Sequence, residues 1–217
     1  MRIVLLGAPG AGKGTHCKRI VAKYGLLHLS SGDILRQESA AGTTLGKKAR
    51  SFMDTGTLVP DRIIVEMMVG AIKKSPEKSF VLDGFPRTVN QAVELDKSLA
   101  CSRQKIDVVL NLIVDDRVVI ERLTGRRSCP QCGAVYHVKN LKPRVEGFCD
   151  NDGATLVQRQ DDSIKVVENR LKVYRRQTKP VVDYYKNANT VCDIDANRNA
   201  DDVTALVFVY LDSLVKA

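Results

Sequence analysis

Tryptophan is absent from the 217-residue chain and aromatic residues make up only 5% of it. The core therefore has to be built from Val, Leu, Ile and Ala, the residue types of helices packed on a buried sheet. Long apolar runs are missing as well. No stretch approaches the roughly 20 residues that a bilayer-spanning helix needs, which excludes a helical membrane-spanning protein. The apolar run at residues 1–6 breaks at Gly7-Ala8-Pro9-Gly10. It is too short for the apolar centre of a secretory leader, so it reads as a first strand and the protein as cytoplasmic. Acidic residues are in deficit, with 25 Asp and Glu against 34 Lys and Arg and a net charge of +9. Such an excess points to an anionic partner without choosing between nucleic acid, a membrane surface and a nucleotide. The remaining composition, 44% hydrophobic and 27% charged, is that of a globular chain long enough for one domain with inserted subdomains.

Six cysteines are present, unevenly spread. Cys17, Cys101 and Cys192 stand alone, whereas Cys129, Cys132 and Cys149 crowd one segment. That is the distribution of a metal site in a reducing compartment and not of a disulfide framework.

Compact apolar runs recur at residues 3–6, 80–82, 108–114 and 190–194. Between them, residues 14–24, 62–73 and 163–176 carry apolar side chains at helical spacing, as do residues 201–215 after the last run. Alternation of this kind implies a parallel sheet covered by helices on both faces. Two stretches break the rhythm and read as insertions: 30–59, which is polar and helical in pieces, and 126–162, which is rich in Cys, Gly, Asp and basic residues.

Gly7-Ala8-Pro9-Gly10-Ala11-Gly12-Lys13 fits G-x-x-x-x-G-K between a predicted strand and a predicted helix, the context that this phosphate-binding motif requires. Glycines let successive backbone N–H groups curl around phosphate oxygens, the helix N-terminus adds partial positive charge, and Lys13 reaches the terminal phosphates. Gly14 stands where the Ser or Thr that binds Mg²⁺ is usual, with a hydroxyl one place later at Thr15. Read on its own, Phe80-Val81-Leu82-Asp83 is a buried strand ending in a carboxylate, which serves either as a strand-end turn or as the acid near a metal's water shell. Ser30-Ser31-Gly32-Asp33 reads as a helix cap with Arg36 one turn inside. Cys129-x-x-Cys132, sixteen residues, then Cys149-x-x-Asp152 has the two-knuckle spacing of a structural zinc site, with Asp150 and His137 as competitors for the fourth place.

The string Gly7-Ala8-Pro9-Gly10-Ala11-Gly12-Lys13-Gly14-Thr15 resembles the loop of adenylate kinases, and Asp83-Gly84-Phe85-Pro86-Arg87-Thr88 followed by Gln91 resembles the nucleoside monophosphate kinase signature. The resemblance covers nearly the whole chain and speaks against a signalling GTPase, for which no N-K-x-D-type motif is present. It implies an α/β P-loop NTPase fold with a five-stranded parallel sheet. The core would comprise residues 1–29, 60–121 and 163–217, with a helical AMP-binding insertion at 30–59 and a zinc-knuckle lid at 122–162, as in bacterial long-lid members.

The reaction it implies is transfer of the γ-phosphoryl of Mg·ATP to AMP, giving two ADP, with Mg²⁺ held largely by phosphates and waters and with a structural Zn²⁺. By the same resemblance, Lys13, Asp83, Arg87, Arg122, Arg126, Arg159 and Arg170 are catalytic. ATP falls to Gly10, Ala11, Gly12, Lys13, Gly14, Thr15, Arg122, Arg126, Val135, Tyr136 and Arg198. AMP falls to Ser31, Arg36, Thr57, Leu58, Val59, Gly84, Phe85, Pro86, Arg87, Gln91, Arg159 and Arg170. Cys129, Cys132, Cys149 and Asp152 take the metal, and Asp161 and Asp162 orient the arginines. The resemblance further implies a monomer whose partners are ATP, AMP and ADP, with neither nucleic acid nor membrane. Two other readings are a UMP- or CMP-type kinase and, from a different class, a zinc-knuckle nucleic-acid-binding protein. The glycine loop and the scarcity of aromatic residues for base stacking count against the latter.

Overall fold

The computed structural model describes residues 1–74, 79–188 and 190–216. Five parallel strands form the central sheet: β1 (Arg2–Gly7), β2 (Leu27–Ser30), β3 (Phe80–Asp83), β4 (Val108–Ile113) and a C-terminal strand, Val191–Asp195, in the order β2-β3-β1-β4 and then that strand. Leu27–Ser30 is the strand that apolar runs did not mark. It has four residues, with a histidine and a serine among them, and only its pairing to β3 makes it a strand.

Alternation along each strand divides the core in two, as expected for a sheet buried on both faces. Val4, Leu6, Phe80, Leu82 and Val109 pack on one side against α4 (Asp61–Lys73), α5 (Val89–Ala100) and α8 (Lys179–Lys186), through Met68, Leu95 and Val181. Ile3, Leu5, Val81 and Leu110 pack on the other against α1 (Lys13–Tyr24) and α9 (Ala200–Lys216), through Ile20, Val207 and Leu211. None of the helices among the described residues is long and apolar enough to cross a membrane.

The first departure from strand–helix alternation contains α2 (Ser31–Ala40) and α3 (Thr44–Thr55). Ser30 caps α2 by accepting a hydrogen bond from Asp33 N, and Thr43 caps α3 by accepting one from Gly46 N. The second follows α6 (Asp116–Thr124) and holds a small antiparallel pair, β5 (Arg126–Ser128) and β6 (Val135–His137). The final strand of the central sheet is thus β7. The helix expected over 163–176 is shorter: α7 covers Ile164–Val173 and passes through a π turn, Tyr174–Thr178, into α8. Pro180, which has no N–H to donate, sits in the first turn of α8 and fits that change of hydrogen bonding.

Glycine decides how closely α2 and α3 approach. A Cβ on Gly46 would lie 2.1 Å from the Glu38 carbonyl oxygen, whereas one on Gly70, inside α4, would meet nothing within 4 Å. Gly46→Ala is therefore expected to destabilise the protein by about 1–3 kcal/mol despite alanine's helix propensity. Gly70→Ala should stabilise it by about 0.5–1 kcal/mol. Thermal melts of the two variants check the opposite signs.

Candidate active site

The glycine loop lies at the carboxyl ends of the strands, where open α/β sheets bind ligands. Gly10 (φ 77°) and Gly12 (φ 94°) hold it in left-handed backbone that residues with a Cβ rarely adopt. Gly12 caps α1 without a side-chain acceptor, leaving the first amides of that helix available to an anion. Lys13 turns back over the loop and its Nζ donates to the Gly7 and Ala8 carbonyls at 2.7 and 2.8 Å. Burial lowers its pKa from 10.5 to about 8; nearby Asp83 opposes the shift, while Arg87 and Arg170 add to it.

Asp83 ends β3 beside the first turn of α1. A Cβ on Gly14 would sit 3.4 Å from Asp83 Oδ2. Arg87 Nε donates to the Gly84 carbonyl at 2.7 Å, and Ser31 Oγ donates to the same oxygen at 2.7 Å. Burial, reinforced by Arg170, brings Arg87 down to about 10. Arg36 pairs with Asp33 one turn earlier on α2. Asp83, Arg87 and Arg36 border a cleft of about 700 Å³ whose walls include Gly10, Gly12, Lys13, Gly14 and Thr15 from the loop and Leu58, Gly84 and Pro86 from the facing side.

The opposite wall is supplied by residues before, within and after the β5–β6 segment: Arg122, Arg126, Val135, Tyr136, Arg159, Arg170 and Arg198. Asp162 is fully buried and grips Arg126 with both oxygens, at 2.8 Å to Nε and 2.6 Å to Nη2. Asp161 accepts from Arg170 Nη1 at 2.8 Å. Arg159 Nε donates to Ser128 Oγ at 3.0 Å, and Arg122 Nη2 to the Arg198 carbonyl at 2.9 Å. Burial lowers Arg159 to about 10, with Arg126 and Arg36 adding to the effect, and burial also lowers Arg170 and Arg122.

Six expected residues do not line the cleft. Ala11, Ser31, Val59 and Phe85 are buried behind its wall. Thr57 is exposed, with its hydroxyl 3.3 Å from the Phe52 carbonyl. Gln91 is also buried, accepting from Arg87 N at 2.7 Å and donating to Asp61 Oδ1 at 2.7 Å. Its amide thus braces the backbone that carries Arg87.

In the β5–β6 segment, one ligand atom each from Cys129, Cys132, Cys149 and Asp152 lies within 4.8 Å of the other three. Cys129 Sγ accepts from the Gln131 and Cys132 amides, both at 3.4 Å, which is the tight turn of a knuckle. Asp150 and His137 are engaged elsewhere: Asp150 accepts from Arg144 N, and His137 Nδ1 from the Lys139 and Asn140 amides. Three thiols and one carboxylate make a donor set suited to tetrahedral zinc. Tyr136 packs against this cluster, its hydroxyl accepting from Asp150 N at 2.8 Å and lying 3.6 Å from Cys149 Sγ.

Several cleft residues escaped sequence reasoning. His16 lines the cleft one turn beyond Lys13 and joins Thr204 Oγ1 at 3.0 Å, while Arg19 reaches Thr204 at 2.7 Å and Asp201 at 2.7 Å. Burial, with Arg19 and Arg122 nearby, lowers His16 to about 4, so it is neutral at neutral pH. The three-residue spacing from Lys13 places His16 on the same helix face, but its partners on α9 come from the far end of the chain. His28 also borders the cleft, from β2.

Comparison with known proteins agrees with this geometry. The family model described as Adenylate kinase matches residues 5–190. Proteins named Adenylate kinase from Thermoanaerobacter sp. (strain X514) and Carboxydothermus hydrogenoformans are each 47% identical, over 204 and 209 residues. The first match spans 94% of both chains, and the second 95% of this chain and 97% of the relative. One from Acholeplasma laidlawii is 44% identical over 212 residues, 97% of this chain and 98% of the relative. Neither the pyrimidine-nucleotide kinase nor the nucleic-acid-binding reading is favoured by these matches. A glycine loop, a facing arginine on the D-G-F-P-R-T turn and a family match across most of the sequence agree: the chain belongs to the adenylate kinase family.

Proposed function

We propose that the protein transfers the γ-phosphoryl group of Mg·ATP to AMP, reversibly, giving two ADP. The observation that carries this reading is the convergence of Lys13, Arg87, Arg122, Arg126, Arg159 and Arg170 on one cleft beside the glycine loop. Two polyanions facing each other need such a surround, and a single bound phosphate does not. An AMP phosphate oxygen, already ionised at neutral pH, attacks the γ-phosphorus. The bond from that phosphorus to the β–γ bridging oxygen breaks, and the charge passes to the β-phosphate of the departing ADP. No general base is required, so catalysis rests on alignment and charge neutralisation.

In this reading the Gly10, Gly12, Gly14 and Thr15 amides and Lys13 hold the ATP phosphates, with Ala11 shaping the loop from behind, its own amide donating to the Ala8 carbonyl. Val135, Tyr136 and Arg198 border its nucleoside. Arg36, Leu58, Gly84, Pro86 and Arg87 form the lining of the AMP side, Ser31, Val59 and Phe85 back it, Thr57 precedes Leu58 in its loop, and Gln91 steadies the turn that carries Arg87. Arg122, Arg126, Arg159 and Arg170 close on the transferred group. Asp83 borders the cleft beside Gly14, where its carboxylate could face the water shell of Mg²⁺ bound with ATP, an ion that would neutralise phosphate charge. Residues 1–29, 60–121 and 163–217 act as the core, 30–59 as the AMP-side insertion and 122–162 as a lid whose closure excludes water that would otherwise accept the phosphoryl group. Cys129, Cys132, Cys149 and Asp152 would hold a structural Zn²⁺ that keeps the lid a rigid unit. The protein works as a cytoplasmic monomer on ATP, AMP and ADP, with no nucleic-acid or membrane partner.

Lys13→Ala is expected to lower turnover by about 10²–10³-fold while the melting midpoint is kept, because a buried cation is removed. A coupled assay of ADP formation from ATP and AMP checks this, and near-normal turnover counts against the assignment.

The depressed pKa of Lys13 also predicts proton linkage. Free, the ammonium is mostly neutral at pH 9 and charged at pH 7; triphosphate binding favours the charged form. ATP binding should take up about one proton at pH 9 and almost none at pH 7, so affinity falls as pH rises through 8. Calorimetry in buffers of different ionisation enthalpy measures the uptake.

The purified protein is expected to carry one zinc or similar ion per chain. Asp152→Ala should weaken its retention in the presence of a chelator and lower the melting midpoint, with turnover of the metal-loaded protein little changed. Metal analysis alongside thermal melts decides the point.

A further inference from the structure

Below the glycine loop, three elements bring together a second set of metal-ligating side chains: Cys17 from α1, His28 from β2 and Asp83 from the end of β3. One ligand atom of each lies within 4.8 Å of the other two. His28 Nε2 stands 3.9 Å from Asp83 Oδ2, too far for a hydrogen bond, and is buried with no hydrogen-bond partner among the described residues. Such an orphaned nitrogen is costly unless something occupies the space in front of it. Cys17 is fully buried, while His28 and Asp83 both border the nucleotide cleft, which supplies a route to the site.

We propose that Cys17, His28 and Asp83 form a binding site for a borderline-soft divalent cation of the zinc type, and that its occupancy inhibits the enzyme. The inhibitory half rests on the kinase reading; the binding half does not. One thiolate, one imidazole and one carboxylate are a donor set that prefers zinc-like ions to Mg²⁺. Donor atoms of a tetrahedral zinc site are about 3.5 Å apart, so small rotations of His28 and Asp83 bring the pair into range. A fourth ligand, water or a phosphate oxygen, could enter from the cleft that His28 and Asp83 border. Binding exchanges the S–H bond of Cys17 for an S–metal bond and releases the proton to solvent, with no change of oxidation state. Burial keeps the thiol protonated without the ion. An ion held there takes the Asp83 carboxylate away from the Mg·ATP side and sets a second positive charge against Lys13.

The test compares wild type with Cys17→Ala and with His28→Ala, each checked by thermal melting for an intact fold. All three keep the lid cysteines, so lid binding cancels in the comparison. Titrated with Co²⁺ alone, wild type should bind one ion more per chain than Cys17→Ala, with an additional thiolate-to-cobalt charge-transfer band. His28→Ala should weaken that uptake at least tenfold. In the presence of Mg·ATP and AMP, buffered free Zn²⁺ should inhibit wild type at concentrations at least tenfold below those that inhibit Cys17→Ala. Equal cobalt stoichiometry and equal spectra in wild type and Cys17→Ala overturn the site. The cobalt difference without any phosphoryl transfer leaves the site standing and overturns the kinase reading. The cobalt difference with equal zinc sensitivity overturns the inhibitory role.

Discussion

Desolvation of clustered cations, reinforced by their mutual repulsion, is the constraint around which this protein is organised. Lys13, Arg87, Arg159 and Arg170 are each shifted towards the neutral form, chiefly by burial, and each feels other cations of the same cleft. An arrangement that is unfavourable for the protein alone is favourable for a polyanion, because the solvation that the cations lack is supplied by phosphate oxygens. Stability is surrendered where binding is required, and the rest of the molecule offsets it with two apolar layers on the sheet.

Two carboxylates hold the crowded arginines in place. Asp162, fully buried, takes Arg126 in a two-point grip, and Asp161 takes Arg170. Each pairing leaves guanidinium N–H groups free to turn to the cleft. Gln91 does similar work for Arg87 by accepting from its backbone amide while its own amide is tied to Asp61. Removing any one of these three braces would leave the charge in place and lose its direction.

The cysteine cluster belongs to the same economy at a distance. Its segment has a small apolar nucleus, with Cys129, Tyr136, Cys149 and Leu156 as the buried members. So little core rarely holds a segment rigid, and a tetrahedral ion held by the four ligands would supply what packing does not. Rigidity matters because Arg126 and Arg159 flank that segment, and a slack frame would blur the positions of the charges it carries.

Local chemistry was legible wherever adjacent residues carry it. The glycine loop, the D-G-F-P-R-T turn, the Ser30 cap and the two knuckles each declare themselves within a few positions, because turn geometry and ligand spacing are properties of short segments. Four of the five strands were legible from apolar runs. Leu27–Ser30 was not, since its two polar residues are tolerated only beside β3. Asp152 was legible from its offset among the knuckles and from the resemblance; that its competitors Asp150 and His137 lie in other hydrogen bonds is visible only in the folded chain. The same holds for Gln91 behind the wall, for His16 against Thr204 and for the meeting of Cys17, His28 and Asp83. By itself the sequence determined which groups are present and which short turns they sit on; tertiary structure alone decided which distant groups share a space, because burial, repulsion and coordination act through distance in space and not along the chain.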